Sequence, residues 1–336
     1  MNQRALGTTM TTVIGVGDVR LATADARGVD ARELERALHR ALELGIALVD
    51  VSEEPDAERM CGDAIRSLRL RDTVMLATRI PLVAPRPGAP RRDVLPERLP
   101  ARYVQERVEA SLRATRLDVL PLVQLPITPS WRSSPAWPEL AGTCMRLVRE
   151  GKALQWAAAL DPVADSDDAR AAATAIADEP WLAALAVPLS LCERSCEFLV
   201  DGKRTILARR PLAGGALAGT LGPGVKLPPR DDRRALDDAT LERISVAIAK
   251  LAPLVRHEPP AARSSDAARE ALDRAKRPRD VEASTVAELA LRYVLDNGAF
   301  ALPRLHRRDH LDEALAIAAA PPLSDSVRTR LDAIFA

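Results

Sequence analysis

Asp50 closes the apolar run Ile46-Ala-Leu-Val, and Glu53, Glu54, Asp56 and Glu58 follow within one short stretch. Arg79 follows a second apolar run, Val74-Met-Leu-Ala-Thr78. Carboxylates beside an arginine at the ends of two strands are the make-up of acid/base chemistry, in which one group stays ionised while another moves a proton. A run of four acids after a strand is more often a solvated loop. Other reactive groups are scarce. The tyrosines are Tyr103 and Tyr293, and the histidines stand at 39, 257, 306 and 310. Cys192 and Cys196 form a thiol pair without the further ligands a metal requires, so no metal is expected. Arg304, Arg307 and Arg308 make a basic turn suited to an anion, or to the solvated opening of a helix.

The elements that must position these residues alternate. From Asp30, Leu34, Leu38, Ala41 and Leu42 share one helical face, Gly45 ends that helix, and the strand to Asp50 follows. The alternation continues with helix 57–68 and strand 73–78, helix 102–116 and strand 119–125, then helix 136–150 and strand 153–160. Helix 166–178, strands 182–189 and 205–209, a helix within 238–255, helix 284–297 and strand 299–302 complete it. About eight strands joined by crossover helices predict one closed α/β domain over 1–336, a single (β/α)8 TIM barrel. Proline-rich stretches 84–100 and 222–234 read as loops, and the charged stretch 257–282 as a surface loop excursion with at most one helical turn series.

Composition narrows the partners. The formal charge is +1, from 48 basic and 47 acidic residues, so no global field draws the chain to nucleic acid or an anionic membrane. No apolar run reaches the roughly 20 residues of a membrane-spanning helix. Four cysteines without a close C-x2-C pairing predict free thiols and a cytoplasmic setting. Expected partners are a small-molecule ligand at the barrel mouth or another protein.

Several blocks carry a family resemblance: Gly45-Ile-Ala-Leu-Val-Asp50, Ser111-Leu-Arg-Ala-Thr-Arg-Leu-Asp118, Leu122-Val-Gln-Leu125, Glu150-Gly-Lys152, Pro188-Leu-Ser-Leu-Cys-Glu-Arg194, Arg209-Arg-Pro-Leu-Ala-Gly-Gly215 and Ala290-Leu-Arg-Tyr-Val-Leu295. Together, in order over nearly the whole chain, they resemble the aldo-keto reductase family. That resemblance implies NADP-dependent carbonyl reduction by an Asp, Tyr, Lys and His, the Lys lowering the Tyr pKa and the His orienting substrate.

On that pattern Asp50 is the retained Asp. Arg79 stands at the Lys position, keeping charge without a titratable proton. No tyrosine lies in Glu53–Glu58, and Pro126 takes the His position. Ala157-Ala-Ala-Leu160 and Ala186-Val-Pro-Leu189 replace the side chains that hold the nicotinamide carboxamide. The phosphate side is retained: Arg209, Arg210, Leu212 and Gly214 belong to the loop that wraps the pyrophosphate, and Arg304 and Arg307 stand where adenosine-phosphate contacts are made. The expectation is a barrel that has lost NADPH-dependent carbonyl reduction and serves as a binding, regulatory or partner subunit. The alternatives are an enzyme with redirected acid/base chemistry at Asp50, Arg79 and the acidic cluster, or a divergent NADPH-dependent oxidoreductase acting on aldehydes or ketones.

Overall fold

The computed structural model of the chain describes residues 2–21, 30–84, 93–229, 231–257, 265–274 and 282–335. Two short strands, β1 (Gln3–Leu6) and β2 (Thr9–Thr12), form an antiparallel hairpin. Eight parallel strands then form one sheet. They are β3 (Val16–Val19), β4 (Leu48–Val51), β5 (Met75–Arg79), β6 (Leu122–Pro126), β7 (Trp156–Ala159), β8 (Ala184–Pro188), β9 (Thr205–Arg209) and β10 (Phe300–Leu302). Each pairs with its neighbour in sequence, as right-handed crossovers dictate. The ring closes between first and last strands through backbone bonds: Ala301 donates to the Val13 carbonyl, Gly15 to Ala301 and Gly17 to Pro303. At this seam a Cβ on Gly17 would stand 2.1 Å from the Leu302 carbonyl oxygen, so only glycine permits the approach. The expected (β/α)8 barrel is the fold observed.

Helices α1 (Ala31–Glu43), α2 (Pro55–Ser67), α3 (Leu95–Arg98), α4 (Ala101–Thr115), α5 (Trp137–Arg149) and α6 (Asp167–Ala177) follow the strands in turn. After β9 come α7 (Asp238–Leu251), α8 (Asp266–Arg274) and α9 (Val286–Asp296), and after β10 come α10 (Arg308–Ala319) and α11 (Asp325–Phe335). The Asp30 carboxylate caps α1 by accepting from the Arg32 N–H, and Leu34, Ala37, Leu38, Ala41 and Leu42 are its buried face. Where α2 meets α4, a Cβ on Gly62 would stand 2.0 Å from the Thr115 carbonyl oxygen, which lets the two helices approach closely.

The two stretches expected to be loops are not wholly so, and the third holds the short helical segment allowed for it. Within 84–100, Leu95–Arg98 is helical; in 222–234 a 3-10 turn begins at Asp232; within 257–282, Asp266–Arg274 is α8. Prolines or charges mark these segments but do not prevent a short helix that carries a proline in its first turn, here Pro96, or that buries one side against a neighbouring helix, as Ala268 does. Residues 85–92, 230, 258–264 and 275–281 of those stretches lie outside the described residues.

Strand alternation divides the side chains into two cores. Outward positions such as Val49, Val123 and Leu185 pack under the helices. Inward positions fill the lumen with Leu48, Met75, Ala77, Leu122, Leu207 and Phe300. Leu6 of the hairpin joins this inner cluster and closes the barrel at the strands' N-terminal ends. The lumen is thus open for chemistry only at its C-terminal mouth. Among the described residues no helix is long and apolar enough to cross a membrane.

Candidate active site

Strand parity fixes what stands at the mouth. Asp50 shares the inward face of β4 with Leu48, Arg79 that of β5 with Ala77, Gln124 that of β6 with Leu122, and Arg209 that of β9 with Leu207. Asp18 comes from a register shift in β3, where its φ of 48° places it in the left-handed region that Asp tolerates better than most residues.

Asp50 is 2% exposed and is held by three donors. Arg79 Nη2 stands 3.2 Å from both carboxylate oxygens, Gln124 Nε2 donates at 2.6 Å, and the Asp18 backbone N–H donates at 3.1 Å. The guanidinium of Arg79, 15% exposed, is therefore aimed rather than free to swing. Its Nη1 lies 3.9 Å from Asp18, beyond hydrogen-bond reach, and its Nε is buried without a partner. Burial works against the Arg79 charge, but Asp50, Asp18 and Glu53 outweigh it and raise the pKa, so this cation does not titrate.

Asp18 gathers a second set of cations. It is paired with Arg304 and, at 3.4 Å, with Arg20, which also reaches Glu53 at 3.4 Å. Burial pushes the Asp18 carboxyl up, but Arg304, Arg20 and Arg79 more than offset this and hold it well below the usual carboxylate range. A carboxylate depressed in the folded state contributes stability that is present above its unfolded pKa of about 4 and is lost as pH falls. The urea midpoint of the wild type is accordingly expected to fall more steeply below about pH 4 than that of Asp18→Asn. Parallel pH curves for the two proteins would show that the pairing contributes nothing.

Arg209 is the least neutralised of these cations. Its Nη2 donates to the Leu160 carbonyl, and its Nε is buried without a partner. The carboxylate nearest to it, on Asp161, is 99% exposed and 4.0 Å away. Burial lowers the Arg209 pKa and the nearby charge of Arg79 lowers it further, while Asp50 and Asp161 offset only part of this.

Beside this mouth lies a cavity of about 650 Å3, which runs from Asp18 and Arg304 past Arg210, Leu212 and Gly214 to Arg307. Five of the six residues expected at a cofactor thus border one cavity. The sixth, Arg209, does not border it and faces the lumen instead. Gly214 and Gly215, with φ of 70° and 103°, form the tight turn along one wall. The first turn of α10 opens into the cavity behind Arg307, whose side chain does not cap the helix, so its amides remain available to an anion. His257, His306 and His310 also line it.

The four acids do not gather around Asp50 and Arg79, which corrects the acid/base expectation; only Glu53 acts on the Arg79 charge, through space and from beside Arg20. Pro55 starts α2 and turns the four acids apart. Glu53 pairs with Arg20, Glu54 accepts from the Leu21 N–H, Asp56 is exposed beside Arg59, and Glu58 is buried against the Ser111 hydroxyl. Neither tyrosine hydrogen-bonds to Asp50 or Arg79: Tyr293 donates to Glu197, and Tyr103, within α4, packs partly buried against the helix-side core. Asp18, Arg20 and Gln124 are site residues that sequence reasoning missed. Gln124 had one signal, a lone amide at an inward position of an apolar strand.

The aldo/keto reductase family model matches residues 13–336. Solved structures of similar fold include a glycerol dehydrogenase from Gluconobacter oxydans (TM-score 0.67, 20% identity, covering 99% of this chain and 94% of that one). An aldo-keto reductase from Bacillus halodurans in its holo form has TM-score 0.66 and 18% identity, with 99% and 96% covered. One from Klebsiella pneumoniae in complex with NADPH has TM-score 0.62 and 22% identity, with 100% and 96% covered. No curated protein matches the chain. These findings correct the expectation of a binding or partner subunit that has lost carbonyl reduction. The structures it is similar to are a dehydrogenase and reductases, the family match spans the barrel, and no loss of activity is shown. The physical reason lies in Arg79, where the substitution exchanges one cation for another, with Asp50 still holding it. By its match over residues 13–336, the chain belongs to the aldo-keto reductase family.

Proposed function

We propose that the chain is an NADP(H)-linked oxidoreductase that reduces small aldehydes or ketones at the C-terminal mouth of the barrel. The observation that carries this reading is the Arg79 guanidinium, fixed by the buried Asp50 with donors still unengaged in the lumen.

The cavity suits the cofactor's phosphates through Arg304, Arg307, the Gly214–Gly215 turn and the N-terminus of α10. At the ring end β7 and β8 present Ala159 and Ala186, which have no polar side-chain atoms. The buried Gln124 Oε1, however, has no hydrogen-bond partner, and it complements a carboxamide NH2. The residues fit the group. When bound, NADPH supplies a hydride to the carbonyl carbon.

The chain's own part is electrostatic. As the carbonyl's π electrons move onto oxygen, Arg79 faces the developing alkoxide with a charge that requires no reorganisation at that moment. Arginine gives up no proton, so the alkoxide is protonated by solvent entering through the mouth. Asp50 serves as a positioning residue, setting the direction of the guanidinium. The free thiols of Cys61, Cys144, Cys192 and Cys196 suit a reducing cytoplasm as the setting.

Calorimetric titration with NADPH is expected to show binding in the micromolar range. Arg307→Glu is expected to weaken it roughly 10- to 100-fold, the effect of removing a charge-assisted contact and adding a repulsion. A flat titration of the wild type would remove the basis of this reading.

A further inference from the structure

The mouth holds more positive charge than the proposed chemistry uses. Asp18 and Asp50 are hydrogen-bonded or paired to Arg304, Arg20 and Arg79, whereas Arg209 hydrogen-bonds only to a carbonyl oxygen, has one fully exposed carboxylate at 4.0 Å, and feels Asp50 through space without contact. Its side chain is 23% exposed, so most of it has left water, and its Nε has no partner. A guanidinium largely withdrawn from water with no carboxylate in hydrogen-bond contact is costly, and an anion that arrives to complete it lowers that cost. β5 and β9 are four strands apart in a ring of eight, so Arg79 and Arg209 project into the lumen from opposite sides. Between them, on β6, β7 and β8, the inward positions nearest the mouth are Pro126, Ala159 and Pro188. The mouth therefore has two cationic poles and an apolar wall joining them.

We propose that the substrate is an aldehyde or ketone that also carries a carboxylate, with Arg209 binding the carboxylate while Arg79 faces the carbonyl. The first pole requires a permanent anion, the second a carbonyl oxygen that becomes anionic, and the wall an uncharged spacer. Arg209 is then a specificity-determining residue rather than part of the cofactor site. The inference rests on the reductase reading for its carbonyl half only; the anion half stands on Arg209 itself.

Two measurements separate these halves. The first is calorimetric binding of 4-methylbenzoate and 4-methylbenzamide, neither of which can be reduced as an aldehyde, to the NADP-loaded protein. The benzoate is expected to bind roughly 10- to 100-fold more tightly, and Arg209→Met to bring the two affinities together. The second is steady-state reduction of 4-carboxybenzaldehyde and 4-methylbenzaldehyde. Their kcat/KM ratio is expected to favour the carboxylate by a similar factor through KM, and Arg209→Met to bring the ratio towards one. Equal binding of benzoate and amide, or a preference that survives Arg209→Met, would overturn the proposal whether or not the enzyme turns over. Preferential benzoate binding without reduction of either aldehyde would uphold the anion site and count against the reductase reading instead.

Discussion

Replacing Arg79 by Met is expected to lower kcat for NADPH-linked carbonyl reduction by about 10²- to 10³-fold, the loss seen when one preorganised donor to a developing oxyanion is removed. The Km for NADPH should change little, because Arg79 does not line the cavity that runs to Arg307. Arg79→Lys separates charge from geometry. A lysine keeps the cation and can reach both Asp50 oxygens with its one nitrogen as Nη2 does, but it then has no further nitrogen held in a plane to face the carbonyl, so it should recover only part of the rate. It also introduces a proton that can leave, so the Lys variant should lose rate at high pH where the wild type does not. Steady-state kinetics across pH on variants shown to be folded decide this, and an Arg79→Met enzyme with undiminished kcat would leave Arg79 without a role.

Asp50→Leu should have the largest effect on stability, a loss of about 3–5 kcal/mol, because it leaves a mostly buried guanidinium without its partner. Leucine also leaves the Gln124 amide and the Asp18 N–H without their acceptor. Asp50→Asn keeps an acceptor oxygen of nearly the same shape and should cost less. Urea unfolding of the three proteins measures both values; a loss below about 1 kcal/mol for Asp50→Leu would mean that solvent reaches Arg79 far more freely than its burial indicates.

The barrel was legible because parallel strands buried on both faces read as short apolar runs, and Ile46–Asp50 and Thr205–Arg209 stand out in that way. The strand at the seam did not stand out. Val16-Gly-Asp-Val is interrupted by a glycine needed for close approach to Leu302 and by an aspartate in the left-handed region, both of which read as turn. The hairpin β1–β2 is equally quiet, since only its Leu6 is drawn into the lumen.

The site was legible in part. Asp50 and Arg79 were visible as strand-end residues, and their contact follows from neighbouring inward positions on β4 and β5. Arg304 was read as a phosphate residue, yet it also pairs with Asp18, 286 positions away across the seam, a contact that no local pattern announces. The acids at 53–58 looked like a cluster because they are close in sequence. Helix α2 begins among them at Pro55 and sends successive side chains in different directions. Arg209 and Arg210 are neighbours in sequence, but β9 ends at Arg209 on the lumen side, and the backbone of Arg210, with φ of 54°, turns that residue to the cavity.

The most direct measurement is single-turnover hydride transfer: the purified chain is mixed with NADPH deuterated at its reactive carbon and with 4-carboxybenzaldehyde, and the alcohol is analysed by mass spectrometry. The predicted result is deuterium on the alcohol carbon at an enzymatic rate, on the order of 1 s⁻¹ or faster. NADPH that binds but stays unoxidised, with no labelled alcohol formed from this or any simple aldehyde, would contradict the oxidoreductase reading.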